Sequence, residues 1–349
     1  MRAFGKSPAD DSLLASATAP SSATVRQHRE GGSTEPPARR HRAVVSSAHL
    51  HRLQRQHFLL FDVLPAVATI AALAILPFHP LGLTDVGLFA GMWLVTGLGL
   101  TAGFHRLFSH RSFGASDAVR VAAIIAGSMA ARGPMLSWVA MHRRHHQCAD
   151  REGDLHSPNL HGETLRGRLL GFVHAQWTWM FKHDYPNVAV YVPDLLADPL
   201  IVWTNRQYYW WVALGLAVPA ALGGLLSGQW MGVLTGFLWG GLVRMFVVAQ
   251  TMSVVNSCLH AVGWRSFDTR PDNSRNCGPL SLLTWGEAWH NNHHAFPYSA
   301  ALGLRWYQLD PGFWLIRALQ AAGLAWNVKV PEPSKIAEKR DGSLGTASL

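Results

Sequence analysis

Four stretches of this chain stay apolar long enough to cross a bilayer, which takes about 20 residues. They are roughly 58–77, 86–104, 208–226 and 230–255, with Asp62 a lone charge in the first and Arg244 in the fourth. An apolar run at 119–131 is too short to cross. Residues 165–181 and 313–326 mix apolar residues and Trp with Arg or Lys. That mixture predicts helices lying in a membrane interface or packed on one another as a cap. Residues 1–45 are rich in Ser, Ala, Pro and Arg without apolar periodicity, and read as a disordered basic tail. Residues 331–349 read as a flexible tail, which leaves 46–330 as one membrane domain. The expected fold is an all-α integral membrane protein: four transmembrane helices under a helical cap formed by 105–207 and 256–330.

Charge orients the spans. The turns joining the first to the second and the third to the fourth contain no Lys or Arg. The N-terminal, middle and C-terminal segments hold nearly all of them, so the positive-inside rule places both termini and the cap in the cytoplasm. The chain has 349 residues, 49% hydrophobic and 15% charged, with 15 tryptophans, as suits a membrane protein with a sizeable polar part. The net charge of +9 comes with no nucleic-acid motif, so it points to lipid headgroups rather than nucleic acid. Three cysteines at 148, 258 and 277 show no zinc spacing and read as reduced thiols.

The chemistry sits where the spans end. His105 and His110 follow the second span, and Asn256 and His260 follow the fourth. His142, His145 and His146 lie in the middle segment, and His290, His293 and His294 in the C-terminal one. Positions i, i+3 and i+4 share a helix face, so each His-x-x-His-His set points one way. His105 and His110 are five apart, about 140° on an ideal α-helix, so they serve different metals or the helix breaks between them. The topology puts all four elements on one membrane side, where they can meet. Neutral imidazole ligates iron, zinc, copper or nickel, and nine imidazoles are too many for one ion and about right for two. The other ten of the nineteen histidines show no such grouping and read as ordinary. Asp150, Glu152, Asp154 and Glu287 are candidates to orient ligand imidazoles through their second nitrogen.

His105-Arg-Leu-Phe-Ser-His110-Arg-Ser-Phe, His142-Arg-Arg-His145-His146, Asn256-Ser-Cys-Leu-His260 and Trp289-His290-Asn-Asn-His293-His294-Ala-Phe-Pro together resemble the membrane-bound acyl-CoA desaturase family, its bacterial members above all. The resemblance runs from about Val86 to Val330. It implies two non-haem iron ions held by the nine histidines, with Asn256 reaching one through water. It implies O2-dependent removal of two hydrogens from a saturated acyl chain, giving a cis double bond typically near the ninth carbon. It implies a bacterial inner-membrane enzyme and an acyl path lined by Trp138.

Family members often carry Arg-Asp just before the second box, against the CoA head; this chain has Ala140-Met141. Acyl-CoA is the expected substrate, while acyl carrier protein and lipid stay open as carriers, with Arg132, Arg166 and Arg168 as candidate phosphate contacts. No haem or flavin module is fused, so electrons come from a separate reductase or carrier. Gln250 on the fourth span is a further candidate for the acyl path. Trp93 and Phe89 stand twelve and sixteen residues before His105. That is roughly 18 and 24 Å along an α-helix, about where an acyl tail would end. The rival readings are a related di-iron hydroxylase, separated by its oxygenated product, and a haem- or metal-binding membrane protein. A transporter would place its ligands near the midplane, whereas these cluster at one edge.

Overall fold

The computed structural model describes residues 43–181 and 183–345; residues 1–42 of the expected N-terminal tail lie outside the described residues. Four helices are long and apolar enough to cross a membrane: Ala48–Ile75, Leu83–Ser109, Tyr208–Ser227 and Trp230–His260. The first begins ten residues earlier than the apolar run implies. Its opening turns, Ala48–Phe58, are polar and capped by Ser47, whose hydroxyl accepts from the Leu50 N–H.

The spans expose an apolar surface. Leu60, Val67, Ile70 and Leu73 of the first and Leu225 of the third are all more than half exposed. A surface of that kind calls for lipid. The second and fourth spans are the more enclosed pair, with 50% and 44% of their apolar windows buried against 17% and 28% for the other two. These two carry the histidines. The third and fourth spans form a tight hairpin, and a Cβ on Gly223 would come within 2.1 Å of the Gly232 carbonyl oxygen.

The two charges inside the first and fourth apolar runs both have hydrogen-bond partners. Arg244 is fully buried and donates to the Gly240, Met129 and Gly215 carbonyls at 3.1, 2.7 and 2.8 Å. Asp62 accepts from Arg132 Nη1 at 2.5 Å. Stripped of these hydrogen bonds, a buried charge at either place would cost several kcal/mol.

The cap is helical, with two short antiparallel pairs, Val44–Val45 on Tyr185–Pro186 and Gly114–Ala115 on Ala325–Trp326. The short apolar run forms Asp117–Met129, the second box lies on Met135–Cys148, and the mixed segments give Leu165–Gln176 and Pro311–Ala321. Residues 333–345 depart from the expected flexible tail: a helix covers Pro333–Gly345. Ile336 packs against Phe267, Ala295 and Phe296, and Lys339 donates to the Ala295 carbonyl at 2.6 Å. One apolar side chain and one cation make those contacts, too few to leave a periodic pattern.

Candidate metal centre

The second span does not run as an α-helix to its end. From Gly99 to Ser109 it widens into π geometry, and the His110 N–H donates to the His105 carbonyl five residues back. Residues five apart then stack, and the two rings stand 4.8 Å apart. The wider turn accounts for the 140° problem: His105 and His110 fall in one group of possible ligands.

The nine histidines gather into two groups. His105, His110, His142, His146 and His293 form one; His145, His260, His290 and His294 form the other. The two His-x-x-His-His helices interlock. The second box sends its first and last members to the group of five and its middle one to the group of four; the third box does the reverse. The third box sits on a short helix, His290–Ala295, held by its two asparagines. Asn291 Oδ1 accepts from the Ser266 and Phe267 N–H groups, and Asn292 Nδ2 donates to the Leu302 carbonyl.

Four imidazoles are oriented from behind. His105 Nδ1–H donates to Glu287 at 2.8 Å, His145 to Asp154 at 3.0 Å and His260 to Asp150 at 2.8 Å, while His294 donates to Asp272. Burial works against the charge on Glu287, Asp150 and Asp154, yet the imidazoles hold all three below the usual carboxylate range, with Arg106 adding to the hold on Glu287. Desolvation in turn drives His110, His142, His146, His290, His293 and His294 well below the ordinary imidazole range, and their neighbours reinforce it. His145 is the exception: burial lowers it, but Asp154 with Asp150 and Asp272 together raise it above the ordinary value.

These contacts fix what the other nitrogens offer. A neutral imidazole that donates from Nδ1 has a bare lone pair on Nε2. His290 Nε2 faces His260 Nε2 at 2.9 Å and His294 Nε2 at 3.1 Å, both lone pairs, and one proton cannot satisfy both. A cation can. The remaining close pairs, His105–His293, His110–His142 and His293–His146, stand 3.0, 2.8 and 2.9 Å apart. Two imidazole nitrogens at right angles, each about 2.1 Å from one ion, would be about 3.0 Å apart. The donor set therefore fits two metal ions.

Trp138 stacks on His142 at 5.3 Å with an 11° tilt. With Asn256, Met252 and His142 it lines a small cavity of about 60 Å³. Asn256 thus lines the same cavity as His142 and His156. A second opening of about 530 Å³ reaches His110, His146 and His294 past Arg143, Arg151 and Arg270.

Other expected site residues lie elsewhere. Gln250 Oε1 accepts from Gln176 Nε2 and Trp177 Nε1, tying the fourth span to the cap. Glu152 is exposed. Trp93 packs face against the buried Trp285 at 4.7 Å, and Phe89 is half-buried on the same span. Sequence reasoning missed Asp272, which reaches His294 from a loop with no periodic pattern. It also missed His156, buried beside His145 with ring centroids 4.6 Å apart. The Asp154-Leu-His156 triplet was the available signal. Burial holds His156 neutral, with its pKa lowered to about 3.

Residues 86–329 match the family model for fatty acid desaturase. A hex-5-enoyl-[acyl-carrier protein] acetylenase of Moorena producens (strain JHB) is 45% identical over 298 residues, 85% of this chain and 92% of that protein. An sn-1 stearoyl-lipid 9-desaturase of Anabaena variabilis is 35% identical over 69% of this chain and 82% of its own length. A palmitoyl-monogalactosyldiacylglycerol delta-7 desaturase of Arabidopsis thaliana is 33% identical over 79% and 70%. With its four spans, its converging histidines and these relatives, the chain belongs to the fatty acid desaturase family, oxidoreductases acting on fatty acyl chains.

Proposed function

We propose that this protein uses two non-haem iron ions and O2 to place a cis double bond in a chain carried by acyl carrier protein. The observation that carries the reading is the convergence of nine imidazole nitrogens into groups of five and four. A methylene C–H bond offers no handle to acid or base side chains, and the irons supply the oxidising power. The reaction balances as –CH2–CH2– + O2 + 2 e⁻ + 2 H⁺ giving –CH=CH– + 2 H2O. The chain's own residues hold the ligands, exclude water and align the methylenes, with Trp138 beside the reacting carbons. The two electrons come from a separate carrier, and the histidine end of the bundle faces the cytoplasm.

Two facts support the carrier. The acidic and basic pair that would meet CoA is replaced by Ala140 and Met141. The Moorena relative, by its name, acts on an acyl chain held by the carrier protein. That relative also favours a second reading, in which an existing double bond is oxidised to a triple bond. The iron-loaded enzyme should be supplied with an electron donor and one acyl chain on acyl carrier protein, CoA or membrane lipid. The products are then read by mass spectrometry. We expect an alkene chiefly from the carrier-protein substrate. An alkyne from the monounsaturated substrate alone would favour the second reading, and a hydroxylated chain would overturn both.

A further inference from the structure

Arg132 stands where two cavities meet. The small cavity beside His142 and Trp138 and a larger one of about 400 Å³ both have Arg132, Met141 and Trp179 in their walls. The larger cavity opens between the polar start of the first span and the 179–188 segment, through Leu50, Leu53 and Val188 among others. The two cavities share these wall residues, so Arg132 stands between the outer cavity and the one beside His142.

The side chain is aimed and only half used. Its turn is fixed by Tyr208, whose hydroxyl accepts from the Gly133 N–H at 3.1 Å and lies 2.9 Å from His57 Nε2. Gly133 has φ +99° with open space at its Cβ position, and Ala131 on the other side of Arg132 has φ 56°. Nη1 donates to Asp62 at 2.5 Å, but Nη2 meets only the thioether sulfur of Met180 at 2.7 Å. A guanidinium edge given to a weak sulfur acceptor is a strong donor left for something else. The side chain is about 10% exposed.

Charge says what that something is. Among the described residues, Arg132 is the only Arg or Lys lining either cavity, and Asp62 already balances it. A neutral carbonyl oxygen would accept from Nη2 without disturbing the pair. Met180, with its flexible side chain, can yield the place.

We propose that Arg132 holds the carbonyl oxygen of the bound acyl thioester or ester, so that the double-bond position is counted from that carbonyl to the histidines. This rests on the desaturase reading and adds its ruler. The carrier then lies on the outer side of Arg132, and the methylenes run past Met141 and Trp138 to His142. Since ester and thioester share the carbonyl, one acyl chain acquires its double bond at the same carbon on every carrier that is accepted.

The test compares iron-loaded wild type with Arg132→Lys, Arg132→Met and the double variant Asp62→Leu/Arg132→Met, reading product positional isomers and KM. The double variant leaves no buried charge unpaired, so it separates loss of the anchor from loss of folding. We expect a single isomer from wild type. Both Met variants should give KM raised roughly tenfold or more, the loss of one charge-assisted hydrogen bond, and two or more isomers at unchanged iron content. Lys should restore the single isomer in part. An unchanged isomer pattern in both Met variants would overturn the proposal, even with KM raised, because Arg132 would then act on the carrier alone. No oxidised product from wild type on any carrier would instead overturn the desaturase reading.

Discussion

His105 and His110 are five residues apart, yet the π turn over Gly99–Ser109 brings their rings to 4.8 Å, within one group of possible ligands. Such a wide turn is rare in helices, and here it is anchored from across the fold. Arg106 is the anchor: fully buried, it pairs with Asp310 at 2.8 Å, donates to the Ala300 carbonyl at 2.9 Å and reaches Glu287, the carboxylate behind His105. One arginine thus links the first box to the C-terminal cap and to a carboxylate that orients a ligand.

Metal analysis of protein purified with its native metal should give close to two irons per chain and no haem. His110→Ala and His293→Ala each take one nitrogen from the group of five, and both should abolish activity and lower iron content. His161→Ala should be mild, since His161 packs on His174 at 4.9 Å, away from both groups. One zinc with no iron in active protein would sink the di-iron assignment.

Asp272 and Glu152 make a sharper contrast. Asp272 accepts from His294 Nδ1, and the Ser274 N–H donates to it at 2.6 Å, so its carboxylate is fixed in place. Asp272→Ala should weaken iron binding by about 10- to 100-fold, the usual cost of losing a partner behind a ligand imidazole. Glu152→Ala, at an exposed position, should leave it unchanged. Chelator competition followed by optical absorbance measures both. Equal effects would show that Asp272 does not orient His294.

The site was legible in the sequence to the extent that it is helical and repeated. His-x-x-His-His names a face by arithmetic, and two copies at the ends of spans say which faces meet. What arithmetic omits is how the faces interlock. It gives His142, His145 and His146 one direction, whereas two converging helices split them between two centres. The π turn left no periodic mark in Gly99–Ser109, and the partners that anchor Arg106 within it lie far away in the chain. Asp272 was silent for the same reason: it arrives on an irregular loop and matters only through its position. A polar residue such as Gln250 in an apolar span can meet a substrate or another helix, and the sequence does not say that it meets Gln176 and Trp177.

Turnover should require a separate electron carrier. The chain has no glycine fingerprint for a dinucleotide and no cysteine set for an iron–sulfur cluster. Its opening onto His110, His146 and His294 is rimmed by Arg143, Arg151 and Arg270, although Arg143 and Arg270 also pair with Asp194 and Asp268. Iron-loaded enzyme given only NADPH, O2 and substrate should form no product, and an acidic iron–sulfur carrier with its reductase should start the reaction. Raising salt should slow it, as attraction across such a rim is screened within about 8–10 Å. Full turnover on NADPH alone would refute this.

Trp93 should set how long an acyl tail the enzyme accepts. It lies twelve residues before His105, which an α-helix would place roughly 18 Å away. The π stretch between them packs more residues into the same rise, so the true depth is less and the tail beyond the reacting carbons is correspondingly short. Trp93 does not stand alone: it packs on Trp285, which is fully buried, and the two indoles make a rigid stop. Trp93→Ala opens the space the ring filled and should let longer chains be desaturated. The double bond should remain at the same distance from the carboxyl end, because the tail end does not set it. Removing a large aromatic from a packed site costs about 3–5 kcal/mol when it is fully buried, so iron content and melting temperature must be followed, with Trp93→Leu as the milder variant. A set of acyl chains differing by two carbons, supplied to each variant and read by mass spectrometry, gives the answer. If folded, iron-loaded Trp93→Ala keeps the wild-type chain-length preference, the tail ends elsewhere and Trp93 serves only to pack the second span against Trp285.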